Sequence, residues 1–177
     1  MNRRQFVGAG MLLPFTFLMP EIARAGAKLN EDTSAVQAEA LNTLLDLSLP
    51  DLHGQSVTLR QLGADHLTVV NFWASWCAPC VREMPALDAL HKENQKVNVV
   101  GISLDTVANI EAFARKTPVS YPLLTAGAGK ISLMRQLGNP KGGLPYTLVL
   151  DKDARPVATV LGEIDMDSLT AFVKRAA

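Results

Sequence analysis

A chain of 177 residues with 48% hydrophobic and 19% charged side chains has the apolar content of one folded domain, which excludes a disordered or low-complexity protein. Seventeen basic residues balance seventeen acidic ones and no Lys/Arg run stands out, so nothing points to a nucleic-acid partner. Only two cysteines are present, Cys77 and Cys80, so no further disulfide is available to staple the fold.

Residues 1–25 read as an export signal. Arg3-Arg4 precede an apolar stretch from Phe6 to Met19, and Ala23-Arg24-Ala25 supplies a small-x-small cleavage pattern. The stretch is too short, and broken by Pro14, to span a bilayer comfortably, although an uncleaved anchor is the plainer alternative. Arg3-Arg4-Gln5-Phe6 also fits a twin-arginine signal, with ordinary secretion as the other route. Removing this segment takes away three arginines and one glutamate, leaving a mildly acidic chain expected to be soluble in the periplasm or outside the cell.

Residues 26–46 read as a flexible lead-in, Gly26–Thr33, and a short amphipathic helix, Ser34–Leu45, with Val36, Ala40, Leu41, Leu44 and Leu45 on one face. The domain proper is expected over 47–177. Leu47–Leu52 and Ser56–Leu59 outline a β-hairpin around His53-Gly54-Gln55. Leu67–Phe72 is a β-branched and aromatic run typical of a strand buried on both faces. Trp76–Lys92 is helical in composition, Val97–Leu104 is a second buried strand, and a helix follows around Asn109–Lys116. Tyr121–Thr125 reads as a short strand, Ala126–Gly129 as a loop and Lys130–Leu137 as a helix. Tyr146–Leu150 and Val157–Leu161 alternate as strands, and Met166–Arg175 closes the chain as a helix. This order predicts an α/β fold with a mixed central sheet flanked by helices.

Cys77 falls where the first buried strand gives way to its helix. Unpaired N–H groups and the macrodipole at a helix N-terminus favour an anion, so Cys77 is expected to be the low-pKa attacking thiol. Cys80 lies one turn further on, within reach of a mixed disulfide at Cys77. Pro79 fits the first turn, where its missing N–H has no intrahelical partner to lose. Two plainer readings compete: half of a zinc site, and an inert bridge. The zinc reading needs two more ligands from three histidines, and a four-residue ring stabilises poorly. Val81 rather than histidine follows Cys80, which excludes c-type haem attachment. No metal site and no cofactor other than the cysteine pair itself is expected.

The segment from Val70-Asn71-Phe72-Trp73-Ala74-Ser75-Trp76-Cys77 to Ala78-Pro79-Cys80-Val81-Arg82-Glu83-Met84-Pro85 resembles the active-site region of the TlpA/ResA-like thioredoxins. This branch of exported reductases includes those of cytochrome c maturation. Leu49–Leu62 resembles the branch's N-terminal hairpin extension. Gly143-Leu144-Pro145-Tyr146-Thr147 resembles the loop that carries a cis-proline beside the thiols. The resemblance implies a thioredoxin-like fold with Cys77 as nucleophile, Cys80 as resolving thiol and Pro145 as the cis-proline. It implies that Glu83 tunes the thiols' protonation, with Trp76, Pro79 and Leu144 walling the site. Trp73 is assigned either to the site's border or to packing.

Three departures matter. Asn71 stands where general thioredoxins have a buried aspartate, which leaves Glu83 as the expected proton acceptor for Cys80, with a raised pKa if buried. Pro145 follows Cys80 by 65 residues, which fits a strand–helix insert. The approach to Pro145, Asn139-Pro140-Lys141-Gly142-Gly143, is looser than usual. The implied activity is a protein disulfide reductase. Its clients carry disulfides or Cys-x-x-Cys motifs, with apocytochrome c or copper-site proteins as candidates, and a membrane thiol-transporting reductase donates electrons. The alternatives are a disulfide-forming oxidase and a Cu(I) metallochaperone; a peroxidase fits the Cys77 surroundings less well.

Overall fold

The computed structural model describes residues 26–63 and 65–176. The expected export signal, residues 1–25, lies outside them. Among the described residues no helix is long and apolar enough to cross a membrane.

The chain enters along Gly26–Asn30, which is docked rather than loose: Ala27 bridges Ile164 and Asn30 bridges Thr159. Helix α1 (Ala38–Asp46) buries Ala40, Leu41, Leu44 and Leu45, the face the periodicity predicts. It begins four residues later than expected, because Val36 is drawn into a bridge with Leu137 instead. The predicted hairpin is shorter than its apolar pattern suggests. Strands β1 (Leu49–Pro50) and β2 (Ser56–Val57) pair antiparallel over two residues each. Thr58 then caps helix α2 (Leu59–Leu62): its hydroxyl accepts from Gln61 N–H while the Gln61 side chain accepts from Thr58 N–H. This reciprocal capping outweighs the strand pattern at Leu59.

The remaining elements alternate as predicted. They are β3 (Leu67–Trp73), α3 (Ala78–Glu93), β4 (Val97–Ser103), α4 (Val107–Ala114), β5 (Leu123–Thr125), α5 (Ile131–Gln136), β6 (Tyr146–Leu150), β7 (Pro156–Leu161) and α6 (Met166–Ala176). Strand β5 starts two residues late because Pro122 has no N–H to donate, although its carbonyl still accepts from Gly101. A single 3-10 turn, Ala128–Lys130, occupies the end of the expected loop.

The sheet order is β5-β4-β3-β6-β7. Strands β3, β4 and β5 run parallel, while β6 lies antiparallel to β3 and β7 antiparallel to β6. This is a thioredoxin-like mixed sheet, with β5 added at one edge by the predicted insert. Every residue of β3 is buried because helices cover both faces. Leu67, Val69 and Trp73 face one core with Met84 and Leu87 of α3 and Leu169 and Phe172 of α6. Val70 and Phe72 face the other with Leu41 and Leu44 of α1 and Met134 of α5. Burying a Leu or Phe side chain contributes roughly 1.5–3 kcal/mol, so two such cores hold the sheet without help from a disulfide.

Register places the site. Trp73 pairs with Ser103 at the carboxyl ends of β3 and β4, and Phe72 pairs with Tyr146 at the start of β6. The loops after β3 and β4 and the loop before β6 therefore meet along one edge of the sheet, where open α/β sheets place their sites.

Candidate active site

Cys77 is the N-cap of α3, in extended backbone, and its carbonyl accepts the first helical bond from Val81 N–H. Ala78 and Pro79 form the first turn. The Cys77 and Cys80 sulfurs are bonded, closing the ring the spacing allows. Cys77 is 6% exposed and Cys80 fully buried, so an incoming molecule meets Cys77 first. That asymmetry agrees with the order of attack expected from the helix terminus.

The two tryptophans separate. Trp73 is fully buried and packs against Phe113 with ring centroids 5.1 Å apart and planes tilted by 53°, so its role is packing. Trp76 is 70% exposed beside Cys77 and shares a groove of about 570 Å³ with Leu104, Asp105, Ile131 and Gly142 to Leu144. The Leu144–Pro145 peptide bond is cis, as the resemblance implies. The loose approach to it is ordered by Asn139, itself fully buried. The Asn139 side chain donates to the Gly143 carbonyl at 2.8 Å and accepts from Gly142 and Gly143 N–H at 3.1 and 3.3 Å. Gly142 turns there at φ +68°, a conformation that favours glycine.

Glu83, three residues after Cys80 and so on the same helical face, is buried at 3% exposure. Its Oε1 accepts from Asn71 Nδ2 at 2.7 Å and its Oε2 from Ile164 N–H at 2.9 Å. Burial pushes its carboxyl up, the two hydrogen bonds pull it back, and the outcome is a pKa of about 7. The neighbouring Arg82 makes its ion pair with Glu163 instead. Asn71 also donates to Thr147 Oγ at 3.0 Å, tying the carboxylate to β6 two residues beyond Pro145.

Sequence reasoning missed Thr147 and the Ile164 N–H, and treated Asn71 only as a lost acid. The signal was present at Asn71, an amide at an inward position of a strand whose other residues, apart from Thr68, are apolar. It also missed Asp105, which is buried in the loop after β4. Its carboxylate accepts from Ser75 Oγ, from Asn109 Nδ2 at 2.7 Å and from Thr106 N–H at 2.7 Å, fixing the loop that carries Trp76 and Cys77. Burial alone would raise its pKa, but these donors hold it below the ordinary value. Among the described residues no group of His, Cys, Asp and Glu could hold a metal ion.

The AhpC/TSA family model matches residues 41–155, which contain the cysteine pair, Glu83 and Pro145. The chain belongs to this family. Among curated relatives it is 29% identical over 129 residues to the thiol-disulfide oxidoreductase ResA of Bacillus anthracis, covering 71% of each chain. Among solved structures it is 42% identical to a thioredoxin-related protein from Neisseria meningitidis serogroup B, at TM-score 0.61 over 70% of this chain and 93% of that one. It is 28% identical to a DsbF homologue from Corynebacterium diphtheriae, at TM-score 0.63 over 73% and 83%. The protein is thus a thiol–disulfide oxidoreductase of thioredoxin-like fold, and such enzymes act on disulfide-containing clients.

Proposed function

We propose that the protein is an exported reductase whose Cys77/Cys80 dithiol opens disulfides in client proteins. The observation that carries the direction is Glu83, a buried carboxyl on the face of Cys80, poised near neutrality. Cys77 as thiolate attacks one sulfur of the client disulfide, forms the mixed disulfide and releases one client thiolate. Glu83 as carboxylate accepts the Cys80 proton. The Cys80 thiolate then attacks Cys77 Sγ, closes the Cys77–Cys80 disulfide and releases the second client thiolate. Two electrons pass from the pair to the client. A dithiol donor, proposed to be a membrane thiol-transporting reductase, returns them. A carboxylate beside the pair also disfavours a very acidic nucleophilic thiol, the property of strong disulfide-forming oxidants.

The client arrives as an extended segment beside Leu144 and Pro145, with Trp76, Pro79 and Leu144 as walls. Support comes from the exposed indole of Trp76 and the groove that it lines together with Leu144. Segments with paired cysteines, as in apocytochrome c or copper-site proteins, are the candidate clients. The arginine pair, apolar stretch and Ala-x-Ala pattern within residues 1–25 support export to the periplasm or beyond. Cys80→Ser tests the reading: it should accumulate client adducts at Cys77 in extracts of the source cells, released by dithiothreitol. Absence of any adduct would refute it.

A further inference from the structure

The segment Gly26–Asn30, which sequence alone marks as a loose lead-in, is built into the wall behind Glu83. Ala27 N–H donates to the Glu163 carbonyl at 2.6 Å, and the Ala27 carbonyl accepts from Asp165 N–H at 2.9 Å. These two bonds straddle Ile164, the residue whose N–H donates to Glu83 Oε2. Further along, Asn30 and Thr159 exchange N–H···O bonds at 2.8 and 2.9 Å, anchoring the segment on β7. Gly26 runs so close that a Cβ there would come within 2.5 Å of Asp165 N and 2.6 Å of the Ile164 carbonyl carbon, so no side chain fits without displacing backbone.

The turn from Gly162 to Asp165 is tied at both ends by other means. Gly162 N–H donates to the Pro145 carbonyl, and the Asp165 carboxylate accepts from Asp167 and Ser168 N–H at the start of α6. In its middle, the backbone bonds at Glu163 O and Asp165 N go to Ala27.

We propose that residues 26–30 are a strap that holds the Ile164 N–H on the Glu83 carboxylate, making the N-terminal segment a positioning element of the redox site. Its consequence for catalysis rests on the reading of Glu83 as proton acceptor for Cys80. The strap acts through backbone, since Ala27 has no ionisable group and Lys28 is exposed. The other groups facing Glu83 are Asn71 from β3, Arg82 and the cysteine pair from α3, Tyr121 ahead of β5, Thr147 from β6 through Asn71, and Glu163 from the strapped turn. Removal of the expected signal after Ala25 leaves the strap complete, beginning at its first docked residue. A cut five residues later, counted along the sequence, removes it.

The test is the titration of the Glu83 carboxyl, followed by carbon NMR in the oxidised protein. Ala27→Pro removes the N–H donor, and Gly26→Val forces the strap off the turn while keeping every donor. Either should raise the Glu83 midpoint by about one pH unit, the scale of a weakened hydrogen bond to a charged group. Ala27→Ser keeps the N–H and should restore the original midpoint. In the reduced protein the pH profile of Cys77 alkylation should shift in both strap variants and stay put when either is combined with Glu83→Gln. A midpoint unmoved in the folded strap variants overturns the proposal, as does a profile shift that persists in the Glu83→Gln background. Should neither variant fold, the unsubstituted protein decides. The Ala27 amide resonance must follow the Glu83 titration along with that of Ile164, and silence at Ala27 is a negative result. A protein that reduces no client but shows the midpoint shift refutes the proposed function and leaves the strap standing; a reductase with an unmoved midpoint does the reverse.

Discussion

Helix α3 carries two buried carboxylates five residues apart, Glu83 and Asp88, with opposite protonation behaviour. Asp88 is desolvated, which works upward, but it accepts from Lys92 Nζ and from both the N–H and hydroxyl of Ser120. Together these pull it down to about 2. Glu83 is also desolvated, yet its two donors are a neutral amide and a backbone N–H, while the adjacent Arg82 is engaged by Glu163. It ends near 7. A buried carboxylate given a cation and a full set of donors is a structural tie. One denied the cation is left ready to take or give a proton. The tie fastens the segment before β5 to the far half of α3, and the poised group sits one turn from Cys80.

The contrast can be broken at its chemical end first. Cys77→Ser should abolish disulfide reduction, a loss of at least ~10³-fold in an insulin or client assay. Next, Glu83→Gln should lower the rate of client reduction by about 10²-fold, the usual contribution of a positioned proton acceptor. It should also erase the rise in rate with pH around neutrality, because in the proposed mechanism Glu83 accepts the Cys80 proton only above its midpoint. Asp88→Asn should leave that pH profile where it is and instead destabilise the fold by about 2 kcal/mol in denaturant unfolding, through weakened charged hydrogen bonds. An Asp88 variant that moves the profile would dissolve the distinction.

Stability against pH sharpens the comparison further. Glu83, raised above its unfolded value, contributes fully below about pH 4.5, and that contribution is lost as pH climbs through about 7, roughly 3 kcal/mol in all. Asp88, lowered, contributes above about pH 3.8 and loses it as pH falls toward 2. Subtracting the Glu83→Gln unfolding curve from wild type across pH 4 to 8 should isolate the first slope, and the Asp88→Asn curve should not contain it. The smallest effect belongs to Arg82→Ala. Its solvent-exposed pair with Glu163 is screened by water and salt, so breaking it should leave the unfolding midpoint nearly where it is.

Most of the fold was legible because each long element has an unambiguous period. The β-branched run of β3, the apolar face of α1 and the paired strands β6 and β7 announce themselves. The hairpin was overread at Leu59, where a capping pair three residues apart starts a helix within a strand-like pattern. The docking of Gly26–Asn30 was invisible, since backbone pairing with Ile164 and Thr159 leaves no mark in five residues, and Ala27 and Leu29, which pack against the core, are too few to show a period. At the site, the motif supplied Cys77, Cys80, Glu83 and Pro145, and Asn71 was noticed for what it is not. Its bond to Glu83 joins residues on different elements, and the Ile164 donor is an N–H, which any residue type could supply. Trp73 and Trp76 could not be told apart by sequence because strand end and loop differ by only a few positions.

The most direct test of the account is the reduction potential of the protein, measured by equilibration with glutathione and quantitation of free Cys77 and Cys80. A reductase with a poised carboxylate beside its thiols predicts a value near or below the thioredoxin end of the scale, about −270 mV. A value near the strong oxidants, about −120 mV, would contradict it and make the protein a donor of disulfides.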